Sequence, residues 1–161
     1  TGRERQIAMV AVNCEAVVDL ATHVLPGMVE RGAGTIIVVS SAAAWQPIPY
    51  AATYAATKAF ELFFVEALHA ELRGTGVRSI AVCPGPTKTE FFDAAGSSGF
   101  PRFVPYETAD GVVAATWRAL ERGRPRVATG PLARVTTLVA GVLPRRLIVW
   151  MAGALHRRPS P

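Results

Sequence analysis

Residues 35–41 read Thr-Ile-Ile-Val-Val-Ser-Ser, and residues 77–86 read Val-Arg-Ser-Ile-Ala-Val-Cys-Pro-Gly-Pro. Each opens as a short, β-branched apolar run with little polar alternation, the pattern of a strand buried on both faces of a parallel sheet. Between them, over about residues 52–73, apolar side chains recur at helical spacing until Gly74-Thr75-Gly76 stops the pattern. A helix joining two buried strands is a βαβ unit. Upstream, Ile7, Val10, Ala11, Val17, Val18, Leu20, Ala21, Val24 and Leu25 mark a helix over residues 4–30, which Pro26-Gly27 should close or kink near its end. Downstream come an irregular stretch from Thr87 to Tyr106, a helix near residues 107–122 and a short strand over residues 126–129. The order predicts an α/β fold: a doubly wound, Rossmann-like parallel sheet of three strands, with right-handed crossovers placing helices on both faces.

At 161 residues, half of them apolar, the chain suits one domain or part of a larger one. Its net charge of +5 comes almost wholly from arginine. No basic block interleaved with aromatics is present, which argues against nucleic acid. Cys14 and Cys83 fit no CxxC or zinc spacing, so reduced thiols in a cytoplasmic protein are expected. The polar start, Thr1 to Arg5, has no signal-peptide pattern. His69 and His156 lack neighbouring ligand types, so no metal is assigned, and Asp19 with His23 reads as a solvated helix face. Residues 135–143 and 147–155 are apolar but split by Pro144-Arg145-Arg146, and each is too short to span a bilayer. Two readings of this tail stand open: a helix packed on the domain, or an interfacial segment whose Arg145, Arg146, Arg157 and Arg158 meet an anionic membrane.

Tyr54 and Lys58 stand one turn apart near the start of the second helix, so their side chains share a face. A phenol is a weak acid, and an ammonium beside it favours the phenolate, so the pair has the makings of a general acid/base. Ser41 ends the first buried strand, and Pro84-Gly85 ends the next. In doubly wound sheets functional groups gather at such carboxyl ends, where a glycine also lets a flat ligand approach the backbone. Ser40 should point to the other side of its strand. Tyr50 lacks a lysine one turn on.

Asn13, Ser41, Tyr54-Ala55-Ala56-Thr57-Lys58 and Pro84-Gly85-Pro86-Thr87-Lys88-Thr89, in this order and spacing, resemble the signatures of the short-chain dehydrogenase/reductase family. The resemblance implies an oxidoreductase that interconverts a carbonyl and an alcohol with NAD or NADP. It implies Tyr54 as the general acid/base and Lys58 as its partner and ligand of the nicotinamide ribose. Ser41 would hydrogen-bond the substrate oxygen, and Asn13 would hold a water through its helix backbone. Pro84, Gly85, Thr87 and Thr89 would line the nicotinamide side. A homo-oligomer is implied by analogy alone.

The glycine-rich strand–turn–helix that holds a dinucleotide pyrophosphate is missing, because Gly32-Ala33-Gly34 follows a helix and precedes a strand. Residues 1–161 are therefore expected to form the C-terminal, catalytic part of one Rossmann-like domain, with 130–161 a helical tail. The first strand should expose an unpaired edge. Phe91, Phe92, Phe100, Phe103 and Tyr106, with Gly96 and Gly99, occupy the place of a substrate loop and suit an apolar small molecule, unless the rings merely pack the loop down. The competing reading is a non-catalytic remnant acting as an interaction or membrane-surface module.

Overall fold

A computed structural model of the chain describes residues 2–90 and 104–156. Helix α1 (Arg3–Glu30) leads into strand β1 (Gly34–Val39), a 3₁₀ turn (Ala42–Trp45), helix α2 (Ala52–Glu71) and strand β2 (Val77–Pro84). Helix α3 (Ala109–Glu121), strand β3 (Arg126–Thr129), helix α4 (Gly130–Val142) and helix α5 (Arg145–His156) follow. The three strands are parallel in the order β1-β2-β3, Gly34 opposite Val77 and Ala81 opposite Arg126 at the start of the two ladders. This is the predicted three-stranded Rossmann-like sheet. Phe91, Phe92, Gly96, Gly99, Phe100, Phe103, Arg157 and Arg158 lie outside the described residues.

Alternation along β2 decides which helix covers which face. Ala81 and Cys83 pack against Leu62 and Val65 of α2, and Val77 against Leu68 and Leu72. Ile80 faces Ala119 and Leu120 of α3 on the other side. Helices thus lie on both faces. Both crossovers step in the same direction across the sheet but on opposite faces, so they are of opposite hand. The expectation that both are right-handed is corrected. The connection from Pro84 to Ala109 is long in sequence, so α3 is not held to the tight return that enforces the usual hand.

Pro26 does not close α1, which runs on to Glu30. The turn after it depends on glycine. Gly32 and Gly76 both have positive φ, and a Cβ on Gly76 would overlap the Gly32 carbonyl, so the α1–β1 and α2–β2 turns approach each other only because neither has a side chain there. Helix α1, with a mean hydropathy of 1.5 over its most apolar stretch, is long and apolar enough to cross a membrane. It is pinned along one side by polar contacts to α2, Thr53 Oγ1 donating to Gln6 Oε1 and Asn13 Nδ2 to Thr57 Oγ1. Along its length it exposes Ile7, Val12, Leu20 and Val24. Among the described residues β1 pairs only with β2, and Ile37 (40% exposed) and Val39 (60% exposed) lie uncovered on it.

The tail forms two helices rather than one, broken at Leu143-Pro144, and one side of each is packed. Ala133, Ile148 and Ala152 are buried. Ala140, Arg145 and Ile148 close a cleft of about 400 Å³ against Trp45, Ile48 and the Ala55–Ala59–Phe63 face of α2.

Candidate active site

Ser41 caps the 3₁₀ turn that follows β1, its Oγ accepting from Ala43 N at 3.1 Å. That turn brings the chain across the carboxyl rim and delivers Tyr54 in the first turn of α2. Ser41 and the Tyr54 phenol share a hydrogen bond. The Tyr54 ring is anchored beside Ala43, Ile48 and Ala55. Ser40 points elsewhere: it is buried and its Oγ donates to the Lys58 carbonyl at 2.7 Å, which ties β1 to α2. Tyr50, with a positive φ and an exposed ring, takes no part.

Lys58 Nζ lies 6.0 Å from the Tyr54 ring centre. It donates to the Val39 carbonyl and to Glu61 Oε1, each at 3.0 Å. Two of its three N–H bonds are thereby used. Glu61 is the residue the sequence reading passed over. It is 3% exposed, and its second oxygen also lies 3.0 Å from Lys58 Nζ but is buried with no hydrogen bond of its own. The signal was there: Glu61 is the only charge in the apolar run Ala59–Val65, one turn past the lysine.

This pairing changes the electrostatics from those the spacing suggested. Burial pushes the Tyr54 phenol above its ordinary value, the Ser41 bond pulls it back in part, and the Glu61 charge adds to the rise. Lys58 was expected to lower it; instead the ammonium is turned to Glu61 and its charge is largely matched there. Glu61 is itself raised by burial, with Lys58 opposing. The site therefore holds Tyr54 as a protonated phenol, ready to donate.

Asn13 sits in a π-helical turn (Ala11–Glu15) inserted into α1, where the backbone bond reaches one residue too far. Such widened turns cluster at functional positions. Its side chain donates to Thr57 Oγ1 at 3.0 Å, and Thr57 Oγ1 in turn donates to the Tyr54 carbonyl, so Asn13 braces the turn that carries Tyr54 and Lys58. At the next strand end, Gly85 N donates to the Thr129 carbonyl at 3.1 Å. A Cβ on Gly85 would face Thr129 and Ala133 of the same chain. Thr87 Oγ1 donates to the Gly85 carbonyl and shapes the turn after Pro84. Thr89 lies beyond it, exposed. Cys14 and Cys83 are free, and burial pushes the Cys83 thiol up to about 11. Among the described residues no cluster of metal-ligand type occurs.

The chain has relatives among known proteins. The family model described as short chain dehydrogenase matches residues 3–114, and the chain belongs to that family. It is 35% identical over 144 residues to an uncharacterized oxidoreductase of Myxococcus xanthus, an alignment covering 89% of this chain and 55% of that protein. It is 43% identical over 76 residues to a very-long-chain 3-oxoacyl-CoA reductase of Bos taurus, covering 47% of this chain and 24% of that one. Its fold matches a short chain dehydrogenase of Burkholderia cenocepacia, solved in complex with NADP, with a TM-score of 0.77 and 29% identity over 91% of this chain and 58% of that one. The chain thus spans little more than half the length of the Myxococcus and Burkholderia proteins.

Proposed function

We propose that the chain is the catalytic portion of an NAD(P)-dependent oxidoreductase that interconverts a carbonyl and an alcohol on an apolar small molecule. The observation that carries this reading is the hydrogen bond between Ser41 and a half-buried, protonated Tyr54, with the Lys58 ammonium one turn further on. A carbonyl oxygen placed against Ser41 Oγ and the Tyr54 hydroxyl would accept two hydrogen bonds at the atom where negative charge develops. Tyr54 would then hand its proton to that oxygen, and Lys58 would steady the phenolate left behind.

The donor set fits the nicotinamide end of the cofactor. Lys58 keeps one N–H free for a ribose hydroxyl, and Thr89 stands exposed at the same rim. When bound, the nicotinamide supplies or accepts the hydride. The pyrophosphate cradle is not among these residues, so binding of the adenosine half belongs to sequence outside this chain. The apolar substrate class is supported by the five rings of the stretch 91–106 and by the likeness over residues shared with a very-long-chain 3-oxoacyl-CoA reductase. The free, unpaired cysteines are consistent with a cytoplasmic protein. The exposed apolar side of α1 suits contact with a second copy.

The test is NADPH oxidation by the full-length protein with a panel of apolar ketones and acyl thioesters. Turnover by the wild type, and a loss of about 10²–10⁴-fold in kcat for Tyr54→Phe with an unchanged thermal transition, is the expected result. Turnover that survives Tyr54→Phe would remove the assignment.

A further inference from the structure

The positive charge of the chain is not evenly spread. Residues 122–161 contain eight arginines and no aspartate or glutamate, whereas residues 1–121 carry more acids than bases. Within that cationic segment α4 and α5 each show two unlike sides. One side is packed through Ala133, Ile148 and Ala152. The other side is apolar and bare. Val135, Leu138 and Val142 recur along one stripe of α4, and Leu147, Trp150 and Met151 along one stripe of α5. Leu138 is 71% exposed and Trp150 is 70% exposed. The exposed Arg134 and Arg146 border these stripes.

Since the opposite side is packed, the bare stripes belong to helices held in place by the fold. Large apolar groups left in water at fixed positions mark a surface that something covers. With 13 and 12 residues, α4 and α5 are each roughly 20 Å long, too short to cross a hydrocarbon layer of about 30 Å. A second copy laid face to face would set these arginines against themselves with no local acid to answer them. Aliphatic stripes, an exposed tryptophan and unopposed arginines on short helices are what an anionic lipid interface accommodates: acyl chains take the stripe, headgroup phosphates take the guanidinium groups.

We infer that the α4–α5 face seats the protein on an anionic phospholipid surface. This goes beyond the redox reading and does not depend on it, because lipid binding needs no turnover. The opposite side of the same two helices closes the cleft against Trp45, Ile48 and α2.

The test is flotation of the full-length protein with vesicles of pure phosphatidylcholine and with vesicles that also contain phosphatidylglycerol. Binding to the second, little binding to the first, and release by high salt are expected. The double variant Arg134→Gln/Arg146→Gln should weaken binding about thirtyfold, on the scale of charges near an anionic surface. Leu138→Glu/Trp150→Glu should abolish it. Leu20→Glu, on the equally bare side of α1, should leave it unchanged. All three alter exposed side chains, and each is checked for an unaltered thermal transition. Absence of flotation on anionic vesicles at low salt overturns the inference, as does binding that the tail variants leave intact. An oligomer split by Leu138→Glu/Trp150→Glu in a protein that binds no vesicles would assign the face to a second copy and overturn it too.

Discussion

At the scale of single residues the site turns on who holds the charge of Lys58. With Glu61 buried at 3.0 Å, the ammonium is answered locally and Tyr54 stays above its ordinary range. On the proposed mechanism the phenolate is the working base in the oxidative direction, so activity should climb as pH rises through the Tyr54 pKa. Glu61→Gln removes the negative charge that raises that pKa. The alkaline limb of the rate of alcohol oxidation should therefore move to lower pH in this variant; a limb that stays in place would show Glu61 to be only a packing residue. Ser41→Ala should lower kcat about 10²-fold while leaving the protein folded, since a donor at the reacting oxygen is lost. Steady-state kinetics beside a melting curve separates this from damage to the 3₁₀ turn that Ser41 caps.

Among the elements, the two turns that meet at Gly32 and Gly76 set the register of β1 on β2. Gly76→Ala places a methyl where the Gly32 carbonyl already is, at a φ of 78°. Backbone strain of this kind costs about 1–3 kcal/mol before the clash is counted, so urea unfolding should show a loss of at least that size. Gly74→Ala, with a similar positive φ but open space around it, should cost less. In α2, Leu62 and Val65 are fully buried against β2, and Leu62→Ala should destabilise by roughly 2–5 kcal/mol. The helix is thus both the main weight of the core and the carrier of Tyr54, Lys58 and Glu61, which is why the site is rigid.

For the molecule as a whole, the free edge of β1 is the weak point. Ile37 and Val39 are bare, and α1 has a single buried residue, Ala21, along its length. Unpaired strand edges with apolar side chains invite association. Residues 1–161 expressed by themselves should aggregate or melt well below the full-length protein and should give no saturable change in NADPH fluorescence. A soluble, NADPH-binding product from these residues alone would contradict both the edge argument and the division of the cofactor site.

Much of this was written in the chain order. The β-branched runs 35–39 and 77–83, the helical spacing between them and the glycine stops determine the strands, the parallel sheet and the βαβ unit, because burial and backbone freedom are local demands on residue type. Ser41, Tyr54 and Lys58 were legible for a related reason: strand end and helix start are positions that sequence alone can place. What the tertiary structure decided is what depends on partners distant in sequence or on direction in space. Asn13 finds Thr57 across two helices. Spacing could show that Lys58 stands one turn from Tyr54, but not that burial raises the phenol and Glu61 claims the ammonium. The hand of the second crossover was likewise closed to the sequence, since only the packing of Ile80 against Ala119 and Leu120 shows that α3 covers the far face.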